Sequence, residues 1–411
     1  MINLNIIILL AYCFFAYKLK IFQIPLNKID KIILLFFLYI FINAIFNNFL
    51  NFNFSSAPDN LILIKSFLYL RFLLLYFVIK FLIIKNIINF KLFFYSLGLC
   101  SLFVSFDIII QFFFGRDLFG LEGSGRRLTG PFGDEYIAGS YIQRFFIFLP
   151  FALLIFTKNK ETKIFKLILF SLLGISMFGI LFAGNRMPFL LFILTLPMIF
   201  FYAKTLRKPF LIMLVLFIAG FSFLYKTNLQ LTNHVNSFKL RSSEVLDYAK
   251  TRFETGEVKP YNVYIKEFES GFLTWEKNKF FGGGIKSFYW HCSNVERTKM
   301  IKFLTKNGLV NCNNHPHNYY LEILAELGLT GIILVIAIFL TIIIKSIYFI
   351  HFSNSLNIER KIVIPFFIIL LAEIFPLKTT GSFFTTSNAT FLFIILSFVA
   401  GLIHVVQSRN L

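Results

Sequence analysis

The sequence predicts an all-α fold, a polytopic integral membrane helix bundle of about eleven transmembrane helices with one large extracytoplasmic loop. Three observations carry this prediction. Hydrophobic residues make up 57% of the chain and charged residues only 15%, which is far from the composition of soluble domains. The apolar residues form long continuous runs, and many of the lysines and arginines lie in the short hydrophilic gaps between those runs. Apolar runs separated by basic gaps are typical of a multi-pass membrane protein.

The apolar runs that we interpret as membrane-spanning helices lie near residues 2–17, 31–50, 60–84, 91–114, 136–156, 164–183, 187–203, 210–225, 319–345, 362–376 and 388–406. Most of them approach the roughly 20 residues needed to cross about 30 Å of hydrocarbon, and the first and tenth runs are shorter. The first run has no basic region before it and no small-residue cleavage site after it. We therefore expect a retained helix there rather than a signal peptide.

The distribution of basic residues predicts the orientation of the chain. Alternate gaps between the runs carry Lys18, Lys20, Lys28 and Lys31, then Lys85 and Lys91, then Lys158, Lys160, Lys163 and Lys166, then Lys204, Arg207 and Lys208, and then Arg360 and Lys361. The gap at residues 51–59 has no lysine or arginine. These alternate gaps are expected to face the cytoplasm, with the N-terminus outside and the C-terminus inside. The net charge of +20 therefore follows from membrane orientation, and no nucleic-acid partner is expected because the charge is scattered.

Three parts follow from this topology: an N-terminal transmembrane bundle at 1–225, a large outer loop at 226–314, and C-terminal transmembrane helices at 315–411. The loop is too long to be a plain connector, and it contains both tryptophans, Trp275 and Trp290. We expect it to fold over the outer face of the bundle and to help form a site. The alternative is a loop that is disordered or only shields the bundle.

Two of the four cysteines, Cys292 and Cys312, lie in the outer loop, whereas Cys13 and Cys100 lie in apolar runs. An oxidising compartment would allow a disulfide between the two loop cysteines, worth roughly 3 kcal/mol for a loop of that size. Two free thiols are the alternative. The cysteines in the apolar runs are expected to be packing residues.

The most informative segment, residues 314–320 (NHPHNYY), opens the ninth apolar run at the predicted outer surface. Pro316 suits the first helical turn and Asn314 could cap it. The start of the helix would then present unpaired N–H groups and a partial positive charge to a bound anion such as a diphosphate. His317 suits general-base work, although a lone histidine can also be an ordinary polar residue at a helix end. Because no cysteine or carboxylate completes a ligand set with His315, a metal site is not expected.

Two glycines follow on the same helix, Gly328 and Gly331, where they would allow a neighbouring helix to approach closely. His317 and Asn318, nine further residues and Gly-x-x-Gly together resemble the hallmark of the O-antigen ligase family, which shares a superfamily with O-antigen polymerases. The stretches 127–135 (RLTGPFGDE) with 139–141 (GSY), and 183–186 (AGNR), resemble further outer segments of that family. The resemblance extends from about residue 90 to the end of the chain.

The resemblance implies an inverting, metal-independent glycosyltransferase of the bacterial inner membrane that needs no cofactor and has its active site facing the periplasm. The donor would be a glycan on undecaprenyl diphosphate, and the acceptor would be lipid A-core. Membrane lipids would surround the protein. Arginine holds phosphate oxygens in pairs and stays charged, so Arg127 and Arg186 are the candidates for the donor diphosphate, with Arg144 in support. His317 would orient or deprotonate the acceptor hydroxyl. Family ligases usually have about twelve helices with both ends cytoplasmic, one more than we count here.

Three alternatives remain. An O-antigen polymerase would join repeat units on the same carrier, so that the acceptor is a growing glycan. A related transferase could use another acceptor, such as a protein or a different glycolipid. A transporter of the lipid-linked sugar would be expected to show an internal repeat and polar groups near the membrane midplane, and the sequence shows no such repeat.

Ionisable residues within the predicted spans mostly fall toward the outer side. Lys65, Asp107, Arg144 and Glu373 lie in the outer halves of their runs, Arg186 lies in an outer turn, and only Arg71 approaches the midplane. Charges are costly within a membrane and tend to mark function. The alternative is that each one snorkels or pairs for structural reasons.

Overall fold

The computed structural model describes residue 11 and residues 26–49, 60–123, 127–158, 162–203, 207–255, 263–295, 312–352, 357–379 and 381–409. Within these ranges the regular structure is helical, apart from an isolated bridge between Arg116 and Glu122. The α-helices are α1 Lys28–Phe49, α2 Leu61–Ile84, α3 Phe90–Phe114, α4 Ala138–Phe145, α5 Phe148–Phe156, α6 Lys163–Phe182, α7 Arg186–Tyr202, α8 Arg207–Thr227, α9 Leu229–Thr255, α10 Val263–Lys277, α11 Phe288–Val295, α12 Tyr319–Phe352, α13 Asn357–Glu373 and α14 Thr386–Arg409.

Eight helical stretches in the described ranges are long and apolar enough to cross a membrane. They are α1, α2, α3, the combined stretch of α4 and α5, α6, α8, α12 and α14, and α7 is a shorter apolar helix. The all-α, multi-pass membrane fold is therefore confirmed. The predicted run at 2–17 lies outside the described residues except for residue 11, so the count of eleven stays a prediction.

The helices form two compact units. The first unit comprises residues 1–87, 243–353 and 373–411. In it α14 packs along α2, α1 packs against α2 and α12, and α10 packs against α12. Its core contains an aromatic cluster of Phe37, Tyr69, Phe72 and Phe393. The outer-loop helices α10 and α11 therefore belong to the same unit as the helix that follows His317.

The second unit comprises residues 88–242 and 354–372 and is centred on α3, which packs against α4, α5 and α6. Small residues set these contacts, because a Cβ at Gly98 would lie 2.4 Å from the Cβ of Leu149 and one at Gly179 would lie 2.7 Å from that of Ser105. The division into a bundle, an outer loop and C-terminal helices that we expected from the sequence stays a prediction.

Candidate active site

The α12 helix begins at Tyr319, two residues after His317. Asn318 caps it: its Oδ1 accepts hydrogen bonds from the backbone N–H groups of Tyr320 at 3.0 Å and Leu321 at 3.1 Å. Its Nδ2 donates to the carbonyl oxygens of Pro376 at 2.8 Å and Lys378 at 3.3 Å. One side chain thus caps α12 and ties it to the segment after α13.

This geometry corrects the expected start of the helix. A cap at Asn314 with Pro316 in the first turn is wrong, because His317 has a φ of +51°, a left-handed conformation that cannot continue a right-handed helix. The expected anion site of unpaired N–H groups is also not observed. The amides of Tyr320 and Leu321 bond to the Asn318 side chain and that of Glu322 to the Asn318 carbonyl oxygen.

The α12 helix breaks at Gly328, where φ is 66° and ψ is −166°. The turn after α10, residues 279–284, supplies the hydrogen bonds that the break would otherwise leave open. Leu329 and Thr330 donate their N–H groups to the carbonyl oxygens of Lys279 at 2.8 Å and Phe280 at 3.2 Å. In return, the N–H groups of Gly283 and Gly284 donate to carbonyl oxygens of α12 just before the break.

The first glycine of the Gly-x-x-Gly pattern is needed for this contact. A Cβ at Gly328 would lie 2.4 Å from the backbone carbon and oxygen of Phe280. A Cβ at Gly331 would meet the side chain of Leu327 on the same helix at 2.2 Å. The element that approaches the motif is thus a turn of the outer loop, whereas the glycine pattern predicted a neighbouring helix.

Two buried carboxylates on α12 anchor neighbouring backbone. Glu326 accepts the N–H of Lys286 at 2.8 Å, directly after the turn that packs on the helix break. Glu322 accepts the hydroxyl of Ser382 and the N–H of Phe383, each at 2.5 Å. The Nζ of Lys286 lies 3.6 Å from Glu322. The segment of α12 before the break is therefore fixed on two sides.

His317 lies against α10, a helix of the outer loop. Gly271 of α10 leaves room for Pro316, whose Cβ would lie 3.0 Å from a Cβ at that position. The Nε2 of His317 then lies 3.6 Å from Oε1 of Glu267. The same Oε1 accepts a 2.5 Å hydrogen bond from the side-chain amide of Asn313. The expectation that the outer loop helps form a site is consistent with this contact.

Burial shifts the pKa values of Glu267 and His317 in opposite directions. Burial raises the pKa of Glu267 to about 7, against a smaller lowering by the hydrogen bond from Asn313. Burial lowers the pKa of His317 below its usual value. His315, whose ring centroid lies 4.3 Å from that of His317, has its pKa lowered to about 4 by burial and by the neighbouring basic groups of His317 and Lys286. At neutral pH the two rings are therefore uncharged, and Glu267 is close to half ionised.

A disulfide lies beside this group of residues. Cys292 of α11 and Cys312 are bonded in the structure, with their Cα atoms 5.6 Å apart. Cys292 packs with Phe288 and with Ala325 of α12. Because Asn313 directly follows Cys312, the disulfide restrains the backbone that carries the hydrogen-bond donor to Glu267.

The arginines chosen from the sequence lie in the second unit. The N–H of Leu128, next to Arg127, donates to the carbonyl oxygen of Ala183 at 3.3 Å. Asn185, next to Arg186, accepts from the N–H of Gly139 at 3.3 Å and donates to the carbonyl oxygen of Tyr136 at 3.0 Å. The structure thus joins the segments that carry these two arginines. Arg127 lies over the ring of Tyr136, Arg186 bonds to the hydroxyl of Ser237, and Arg144 lies in the last turn of α4.

Other charged residues in the spans have structural partners. The carboxylate of Glu373 accepts from the hydroxyl of Tyr319 at 2.8 Å and from Lys378 at 2.5 Å. Arg71 donates to the hydroxyl of Thr386 at 2.7 Å, and Asp107 accepts the N–H of Leu118 at 2.8 Å. These contacts favour the structural alternative for Glu373 and Arg71, whereas Oδ2 of Asp107 is buried without a hydrogen-bond partner among the described residues. No group of three or more His, Cys, Asp or Glu residues in the described ranges could hold a metal ion, and metal independence stays a prediction.

Glu267 is a candidate site residue that the sequence motifs did not predict. It shares one face of α10 with Ser270, Gly271 and Thr274, at helical spacing. Glu267, Ser270 and Thr274 are each at most 3% exposed. A stripe of one carboxylate and small polar residues on a helix of a long outer loop was the available signal.

A family model matches part of the chain. It is described as O-antigen ligase and covers residues 169–336, from within α6 to within α12. The matched region contains Arg186, Glu267, His317 and both glycines of the Gly-x-x-Gly pattern, whereas Arg127 and Arg144 precede it. No curated protein matches the chain significantly.

Proposed function

Because this chain belongs to the superfamily of O-antigen ligases and O-antigen polymerases, we propose that it is a ligase-type glycosyltransferase. It would move a glycan from undecaprenyl diphosphate to a hydroxyl group of lipid A-core at the periplasmic face of the inner membrane. The observation that supports this most is the placement of His317 against the buried Glu267, at the start of α12. A histidine so placed can take a proton from a hydroxyl group.

His317 acts on the acceptor. The acceptor hydroxyl attacks the anomeric carbon of the donor sugar and gives its proton to the imidazole ring. The bond between that carbon and the diphosphate oxygen breaks, and the lipid diphosphate leaves with the electron pair. Since diphosphate is a good leaving group, the protein mainly has to orient the partners and accept the proton. The lowered pKa of His317 suits this role, because the ring is uncharged at neutral pH.

The arginines act on the donor. We assign the diphosphate to Arg127 and Arg186, with Arg144 in support. The support is that the segments of Arg127 and Arg186 are bonded to each other through Leu128 and Ala183. A planar guanidinium can hold two phosphate oxygens and stabilise the charge that develops as the sugar departs.

The polymerase reaction uses the same donor and the same proton transfer, and differs only in the acceptor. We favour the ligase because the matching model carries that description and because the His-Asn motif belongs to the ligase pattern. The experiment therefore has to identify the acceptor.

The test is the surface-glycolipid ladder of a deletion strain complemented with the wild-type gene, His317→Ala or His351→Ala. His351 lies at the opposite end of the same helix and is exposed, so that variant controls for the loss of a histidine. We expect wild type and His351→Ala to restore long-chain glycolipid. With His317→Ala, long chains should be missing and polymer should accumulate on the carrier.

Two other results would contradict the ligase proposal. A deletion strain whose glycolipid carries a single repeat unit would identify a polymerase. An unchanged ladder in the deletion strain would exclude both the ligase and the polymerase reaction and leave another acceptor or a transport role.

A further inference from the structure

Glu267 is a buried carboxylate to which the proposed reaction has so far given no role. Its side chain is 3% exposed, whereas that of His317 is 31% exposed. Its Oε1 accepts from Asn313 and faces Nε2 of His317, and its Oε2 is buried with no hydrogen-bond partner among the described residues. Burying a carboxylate in this way costs free energy unless a neighbouring group pairs with its charge.

We propose that Glu267 is a positioning residue for His317: it orients the imidazole ring through Nε2 and stabilises the positive charge that the ring acquires with the acceptor's proton. This inference rests on the proposed function for its chemistry. A carboxylate behind a histidine fixes the ring tautomer, so that Nε2 carries the proton directed at Oε1 and Nδ1 is the basic nitrogen. The difference in exposure places the ring toward substrate and the carboxylate behind it.

The separation of 3.6 Å between Oε1 and Nε2 is longer than a hydrogen bond. Such contacts often tighten only when substrate is bound. The proton goes from the acceptor hydroxyl to His317, where the Glu267 carboxylate holds the imidazolium, and it passes to water after the lipid diphosphate has left. The pair accepts this proton only while the carboxylate is ionised and the ring is neutral.

The remaining charged and titratable groups around the pair do not replace Glu267. The elements that pack against α10 are α11, which carries Tyr289 and His291, and α12, which carries Tyr319, Tyr320, Glu322 and Glu326 before its break. Lys286 and His315 lie in the segments just before these two helices. Glu322 and Glu326 accept hydrogen bonds from backbone or side-chain donors. Burial lowers the pKa of His291 to about 4, so this ring is uncharged at neutral pH. Among the contacts described for His317, Glu267 supplies the negative charge.

The pKa of Glu267, near 7, predicts the direction of a pH effect. Transfer should increase with pH through about 7 as the carboxylate loses its proton. In Glu267→Gln the increase in transfer rate should occur at lower pH, because only the pKa of His317 then governs it. The maximal transfer rate of this variant, reached at high pH, should fall roughly 10- to 100-fold. A purely structural role would lower the rate by the same factor at every pH. Glu267→Asp should restore part of the increase near pH 7.

The first measurement uses purified full-length protein and does not require activity. Diethyl pyrocarbonate modifies neutral imidazole, so the rate of His317 modification against pH, followed by mass spectrometry, reports the pKa of that ring. We expect the wild-type profile to show a step near pH 7, where the Glu267 carboxylate ionises and holds the ring N–H, and we expect Glu267→Gln to lose this step. Glu269→Gln changes a carboxylate of α10 two residues away, on another face of the helix, and should keep the step.

The second measurement adds the same proteins to membranes of the deletion strain and follows transfer of the accumulated carrier-linked glycan against pH. A profile without a step near pH 7 in wild type, or with the same step in Glu267→Gln, would overturn the pairing, whatever the activity. Parallel pH profiles for wild type and Glu267→Gln would overturn the role in proton transfer. If Glu267→Gln loses the step near pH 7 but wild type transfers no glycan, the pairing stands and the proposed function falls.

Discussion

At the scale of single residues, the site depends on side chains that hold the backbone in an unusual conformation. His317 has a positive φ, and the helix begins two residues later, at Tyr319. Asn318 makes this possible, because its side chain caps the helix and also bonds to the carbonyl oxygens of Pro376 and Lys378. The position of the proposed base is therefore set by its neighbour in sequence.

Substitutions at Asn318 should separate the contribution of the helix cap from that of the bonds to Pro376 and Lys378. Asn318→Ala loses the cap and the bonds to Pro376 and Lys378, whereas Asn318→Ser keeps a cap acceptor but cannot reach both carbonyl oxygens. We expect the alanine variant to be less stable than the serine variant by about 1 kcal/mol, the usual value of a cap, and both to be less stable than wild type. Thermal unfolding in detergent micelles would measure this. Equal stabilities of the two variants would show that the cap contributes nothing.

At the scale of elements, α12 is two helical segments joined at Gly328, and the turn at 279–284 completes the hydrogen bonds at the joint. Tyr39 and Asn43 of α1 bind the same turn, because their side chains donate hydrogen bonds to the carbonyl oxygen of Phe281 at 3.1 Å and 2.6 Å. The outer loop is thus built into the bundle at the point where the helix is interrupted.

Gly328→Ala should disrupt this joint. Its φ and ψ lie in a region used almost solely by glycine, and the new Cβ would meet the backbone of Phe280. Gly120→Ala is the matched control, because Gly120 also has a positive φ, +83°, but has open space around its Cβ position. We expect about 1 kcal/mol from backbone strain alone at Gly120 and a clearly larger loss at Gly328. Thermal unfolding of both variants is the measurement, and similar losses would argue against the close contact.

The sequence predicted the helical membrane fold because apolar runs follow directly from the length needed to cross hydrocarbon. It also selected His317, whose motif is local. It did not predict the cap at Asn318 or the partner Glu267. The cap depends on the left-handed conformation of the preceding residue, and the pairing depends on a contact between α10 and α12 that Gly271 permits. Backbone conformation and long-range packing of this kind leave little trace in residue spacing.

At the scale of the whole molecule, the described spans and the basic gaps between them predict one orientation in the membrane. Lys91 lies at the first turn of α3 and Leu118 follows its last turn, and both side chains are exposed. The positive-inside rule assigns the gap of Lys91 to the cytoplasm. The turn at Leu118 is then outside, on the side that the proposed function requires.

Single cysteines at these two positions should report the orientation. In a background lacking Cys13 and Cys100, we expect Leu118→Cys to react with a membrane-impermeant maleimide in intact spheroplasts. Lys91→Cys should react only after permeabilisation. The reverse pattern would invert the topology and remove the proposed site from the periplasmic face.

The interrupted helix also has a consequence for the order in which the protein folds. The segment after Gly328 is apolar and can insert as a span on its own, but the N–H groups of Leu329 and Thr330 bond to residues of the preceding loop. An unsatisfied backbone group in hydrocarbon costs several kcal/mol, so docking of the turn at 279–284 completes the inserted helix. Insertion of the span and completion of the proposed site are then separate steps, because the second needs the docked outer loop.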